Sequence, residues 1–143
     1  LATWVKENRN NACHWFVVDD LDHLKKGGRI SAVAATFGKA LQIKPLLSVD
    51  LEGKLTTVAK IRGSKNVYDA MITRLKRDGD NTKEQLVAVG HGDNLAQATE
   101  LKELILAEKL AKEVAICDIG PIIGTHTGCG MLGLAFLGDR NIT

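Results

Sequence analysis

Two apolar runs with a helix-length segment between them constrain this chain more than anything else in it. Gln85-Leu-Val-Ala-Val-Gly-His91 reads as a strand, Asp93 can cap a helix from about Asn94 to Leu110, and Val114 to Ile119 reads as the next strand. Strand, crossover helix and strand at this spacing favour a right-handed parallel pair. The expected fold class is therefore α/β, with a mixed β-sheet packed by helices. A length of 143 residues, 45% of them hydrophobic, suits one core.

The rest of the chain can be fitted around that unit. Leu1 to Arg9 has apolar positions at helical spacing without a clear starting cap, so the chain reads as beginning within a helix. His14-Trp-Phe-Val-Val18 is a short strand pattern, and Asp19-Asp-Leu-Asp22 offers an N-terminal cap to a short helix that Gly27 and Gly28 stop. Ile30, Val33, Ala34, Phe37 and Leu41 share one face of a second helix, with Ser31 as its cap. Pro45–Asp50 and Leu55–Arg62 flank Leu51-Glu-Gly-Lys54 as a hairpin. Gly63-Ser64 opens a helix with Val67, Ala70, Met71 and Leu75 on one face.

Gly120-Pro-Ile-Ile-Gly-Thr-His-Thr-Gly-Cys-Gly130 follows a strand and is the stretch where chemistry is expected. Its glycines let a backbone approach a ligand, and Thr125, His126 and Thr127 supply two hydroxyls and an imidazole beside exposed N–H groups. Successive N–H groups in such a turn form a concave site for an anion. A tight turn with a solvated histidine fits the spacing equally well. His91 is expected at the same sheet edge, where it could serve as a ligand group, though orienting its own turn beside Asp93 is the commoner use of such a histidine.

Composition removes several classes. The formal charge of +2 is spread without basic blocks, so nucleic acid is not an expected partner. No apolar run reaches the ~18 residues of a membrane span, and no signal pattern is present, so the expected location is cytoplasmic. Cys13, Cys117 and Cys129 are odd in number and lack a C-x-x-C pair, so neither a disulfide framework nor a zinc site is expected. Cys117 is expected in the core.

Five segments in order resemble the DegV family: Val18-Asp-Asp-Leu-Asp-His-Leu-Lys-Lys-Gly-Gly-Arg-Ile-Ser31, Ile43-Lys-Pro-Leu-Leu-Ser-Val-Asp50, Lys60-Ile-Arg-Gly-Ser64, His91-Gly-Asp-Asn94 and Ile123-Gly-Thr-His-Thr-Gly128. The resemblance implies a two-domain protein. Residues 1–13 would be the remnant of an interdomain helix and 14–143 the carboxyl-terminal domain, the amino-terminal domain being absent from this chain.

It further implies a fatty-acid-binding carrier rather than an enzyme, with a long-chain fatty acid held between the domains. The carrier presents the acid's carboxylate to a fatty acid kinase, and no cofactor or metal is implied. His126 matches the family histidine that bonds the ligand carboxylate, and Arg29 matches an arginine near it, with Thr125 and Thr127 alongside. The acyl chain would be lined by Ala32, Val33, Ala35, Thr36 and Ala40 of the alanine-rich helix, and by Ile43 and Leu46. In one departure from the family pattern, Cys129 stands where a proline is usual, which frees a φ angle and adds an N–H.

Two other classes remain open on the residues alone: an enzyme acting on a small carboxylate or phosphate through His126, and a structural or dimerising domain. The enzyme lacks a nucleophile in a recognised elbow and a carboxylate cluster with metal spacing. A dimerising domain would cover exposed apolar surface by self-association as a homodimer.

Overall fold

The computed structural model describes residues 1–19, 21–30 and 43–140. The apolar alternation in the sequence becomes one mixed six-stranded sheet. Its strands are β1 (Ala12–Val17), β2 (Ile43–Val49), β3 (Leu55–Arg62), β4 (Leu86–His91), β5 (Glu113–Asp118) and β6 (Leu132–Leu137), in the order β3-β2-β1-β6-β4-β5. The helices are α1 (Ala2–Asn8), α2 (Asp22–Lys26), α3 (Ser64–Asp78), α4 (Leu95–Ala107) and α5 (Pro121–Thr127). The expected parallel crossover is β4-α4-β5, with Val87 opposite Val114 and His91 opposite Asp118. The expected hairpin is β2-β3, antiparallel, turning through Gly53 at φ 81°. The other pairings are antiparallel.

Alternate side chains of the central strands divide between two cores. Cys13, Trp15 and Val17 of β1, Val87 and Val89 of β4, and Leu132, Leu134 and Phe136 of β6 join Val67, Met71 and Leu75 of α3 and Leu101 and Ile105 of α4. The helix face read from the Val67, Met71 and Leu75 spacing is the one that is buried. Tyr68 donates its hydroxyl to Glu100 at 2.7 Å and so ties α3 to α4. On the opposite face a smaller core forms from Phe16, Val18, Leu21, Leu24, Leu47 and Met131. This core seats α2 at the end of the sheet where β1, β4 and β5 finish.

Three local expectations are corrected. Asp93 does not cap α4: it turns through the left-handed region at φ 50°, and Asn94 becomes the N-cap residue. Asp19 does not cap α2 either, and Asp20 lies outside the described residues. The N-cap is Leu21 with no side-chain bond, and Asp19 pairs with Lys44 at 2.7 Å. Cys117 is exposed, because β5 is an edge strand and its outward positions carry no described helix.

Cys13, by contrast, is buried, and burial together with the nearby Asp78 carboxylate pushes its thiol up to about 11. Thiolate is the reactive form. Iodoacetamide at pH 8 is therefore expected to alkylate Cys117 and Cys129 and spare Cys13 until the chain is unfolded. Peptide mass spectrometry with and without urea checks this, and alkylation of native Cys13 would contradict its burial.

Candidate functional site

Most of the Gly120–Gly130 stretch folds as the helix α5, and the glycine-rich turn is confined to Gly128-Cys129-Gly130. Pro121 occupies the first turn of α5, where a missing N–H costs nothing, and the amides of Gly124 and Gly128 bond the carbonyls of Gly120 and Gly124. Helix bonding takes the Gly124 and Gly128 amides, two of the N–H groups that the expected cradle would have offered. The chain leaves α5 through Gly128, at φ 74° and ψ −179°, a conformation suited to glycine.

Helix formation also occupies both threonines. Thr125 donates to the Pro121 carbonyl at 2.7 Å and Thr127 to that of Ile123 at 3.1 Å. A hydroxyl has one hydrogen to donate, so as placed neither has one left for a carboxylate. His126 is different. It is half-buried, and its Nδ1 is enclosed with no hydrogen-bond partner among the described residues.

Gly27, at the end of α2, explains that enclosure. Its φ of −76° suits any residue, yet a Cβ built there would overlap the imidazole of His126. The glycine is required by space and not by backbone shape. Its carbonyl also accepts from Arg29 Nη1 at 2.7 Å. Arg29 and His126, distant in sequence, are thus both brought to one glycine.

The packing has a reciprocal counterpart. A Cβ on Gly128 of the α5 exit would lie 2.7 Å from Cδ2 of His23, on α2. Histidine of each helix lies on glycine of the other. His23 was not singled out by sequence reasoning, although it falls within the Asp22-His-Leu-Lys-Lys-Gly-Gly-Arg29 segment. Arg29 is exposed and spends one of its five N–H donors on Gly27, which among the described residues leaves the remainder for an anion.

His91 ends β4 at the same sheet edge and is buried. Its Nδ1 accepts the Asn94 N–H at 3.3 Å, and its Nε2 lies 3.5 Å from Asp118 Oδ1. It orients its own turn as expected, through Asn94 rather than Asp93. Of the acyl-lining positions, Ile43 is half-buried at the start of β2, while Leu46 lies within the core under α3 and α4. Ala32, Val33, Ala35, Thr36 and Ala40, with the helix expected to carry them, lie outside the described residues. Among the described residues no group of three or more His, Cys, Asp or Glu side chains is placed to share a metal ion. No helix there is long and apolar enough to cross a membrane.

The family model described as an uncharacterised protein of the DegV family matches residues 1–139. The chain belongs to the DegV family. A DegV domain-containing protein of Clostridium perfringens is 44% identical over 139 residues, covering 97% of this chain and 48% of that protein. Among solved structures, a fatty acid binding DegV family protein from Streptococcus agalactiae aligns with a TM-score of 0.77 and 29% identity, over 98% of this chain and 49% of that one. The Streptococcus pneumoniae Fatty Acid Kinase (Fak) B3 protein loaded with linoleic acid aligns with a TM-score of 0.82 over 96% of this chain and 48% of that one. At 20% identity, that last likeness establishes the DegV fold alone. The chain spans about half the length of these DegV relatives.

Proposed function

We propose that this chain supplies one half of a fatty-acid carrier. It holds a long-chain fatty acid against a second domain, and presents the carboxylate to a fatty acid kinase that brings the ATP site. One observation carries the reading: the 29% identical S. agalactiae relative, matched over nearly all of this chain, is a fatty acid binding protein. The kinase step rests on the sequence resemblance and on the name of the S. pneumoniae neighbour. In this reading residues 14–143 form the carboxyl-terminal domain, and α1, within residues 1–13, packs on the other domain. The exposure of Trp4 and Val5 and the lack of any buried residue in α1 support that placement.

The chemistry at the α2–α5 contact suits a carboxylate. Nδ1 of His126 is pressed on Gly27 with no hydrogen-bond partner among the described residues, so Nε2 is the ring nitrogen left to meet a ligand. Arg29 is the accompanying cation. Burial of each methylene contributes about 0.8 kcal/mol, so a long tail gains on the order of 10 kcal/mol before ordering costs. A charge-assisted bond adds roughly 1.5–3 kcal/mol. The tail holds the ligand, and the head group fixes which end faces the kinase.

Native mass spectrometry with solvent extraction tests the carrier reading on the protein containing this chain with its second domain. A stoichiometric fatty acid is expected on the wild type, and its absence would withdraw the reading. His126→Ala is expected to keep most of its lipid and lose acyl phosphate formation with the kinase. Complete loss of lipid uptake with the fold intact would show that His126 anchors the ligand rather than orients it.

A further inference from the structure

The α5 helix sits on the sheet edge with only Thr127 buried, and Ile122 and Ile123 are 78% and 53% exposed. Beyond its contact with α2 at Gly27 and Gly128, little of α5 is buried, so the fastening of its ends matters. Both are held by the turn that follows β4. At the entry, Ile119 N–H donates to the His91 carbonyl at 3.0 Å. At the exit, Gly92 N–H donates to Met131 O at 3.0 Å, and Gly130 N–H donates to Gly92 O at 2.7 Å. Gly92 permits this approach because it lacks a side chain: a Cβ there would lie 3.0 Å from the Gly128 carbonyl oxygen and 3.1 Å from Ile119 Cδ1.

One side chain completes the fastening. Asn94 Nδ2 donates to Gly130 O at 3.2 Å and to Gln97 Oε1 at 2.8 Å, while the Asn94 N–H donates to His91 Nδ1 at 3.3 Å. We propose that Asn94 is a positioning residue for His126: it locks the exit of α5 to the start of α4, so that the imidazole stays seated on Gly27. The link to ligand orientation rests on the fatty-acid reading above, whereas the link to the imidazole does not.

The informative variant is Asn94→Asp. Aspartate serves as an N-cap residue about as well as asparagine, so the helix and the fold are retained. It has no Nδ2 donor, and it faces the Gly130 carbonyl with another acceptor. The full-length protein, labelled with 15N-histidine, reports the ring of His126 directly, with His126→Gln assigning its signals. In Asn94→Asp the His126 ring signals are expected to shift and broaden while those of His14 stay in place. Oleate, used as the probe ligand, should dissociate about tenfold faster, the scale of one lost hydrogen bond.

Gln97→Leu is the control. It removes the other acceptor of Asn94 but keeps the bond to Gly130, so the His126 ring signals should not move. Unchanged His126 signals in Asn94→Asp would overturn the assignment, as would equal changes in Gln97→Leu. If the wild type takes up no oleate, the fatty-acid reading fails, and the ring spectra alone decide the role of Asn94.

Discussion

Gly27→Ala should fold and yet fail at its site. The φ of −76° at Gly27 is open to alanine, and replacing glycine where the backbone permits it stabilises by about 0.4–1 kcal/mol through the unfolded chain. Against that stands the imidazole of His126, which the new methyl would overlap. A side-chain ring can swing away where a backbone cannot, so the cost falls on the position of His126 rather than on the fold. The expected melting temperature is within a few degrees of wild type, corresponding to about 1 kcal/mol either way. In the proposed carrier reading, oleate affinity should fall roughly ten- to a hundredfold, the range of one charge-assisted bond, and acyl phosphate formation by the proposed partner kinase should fall further. Calorimetric titration and a coupled kinase assay give the two numbers. Wild-type affinity and turnover in Gly27→Ala would mean that the ring position seen against Gly27 is not the working one.

The failures and successes of sequence reading have identifiable causes. The β4-α4-β5 unit and the β2-β3 hairpin were legible because strand alternation and connection length leave few ways to join those segments. The α5 helix was not, because its four-residue repeat of Gly120, Gly124 and Gly128 looked like turn chemistry. Pro121 at the first turn was the overlooked signal. Asp93 failed as a cap because its left-handed backbone serves the turn instead, which no local pattern announces. Cys117 reads as core from its apolar neighbours, but exposure depends on β5 being the last strand of the sheet, a property of topology. Arg29 and His126 were connected by family resemblance alone. That one glycine receives both is a fact of packing between two short helices, and glycine beside glycine in the sequence suggested only a helix stop.

Trp15→Ala should have the opposite signature, with the fold losing and the site spared. Trp15 is 3% exposed in the middle of β1, paired with Leu134 and Ser48, and it faces the core under α3. Truncating a buried aromatic costs about 3–5 kcal/mol through lost transfer energy and the cavity left behind. Arg74 adds to this. Its guanidinium lies 4.3 Å from the Trp15 ring centroid, and burial and the neighbouring Arg77 lower its pKa. The ring face is a compensating partner for that cation, a contact worth about 0.5–2 kcal/mol. Water entering the cavity would rehydrate Arg74 and return part of that loss, so the expected total is about 4 kcal/mol rather than a full sum. A domain of this size has roughly 5–15 kcal/mol to lose, which places the variant near the edge of folding. Urea denaturation of Trp15→Ala, Arg74→Ala and the double variant separates the contributions, with a coupling of about 1 kcal/mol expected between the two side chains. Below its melting temperature, Trp15→Ala should show wild-type ring signals for His126, because α2, α5 and the His91–Asn94 turn meet at the sheet edge and not over β1's centre. A destabilisation below about 1.5 kcal/mol, or a displaced His126 in the folded variant, would mean that the core and the site are not the separate units that the two clusters of side chains imply.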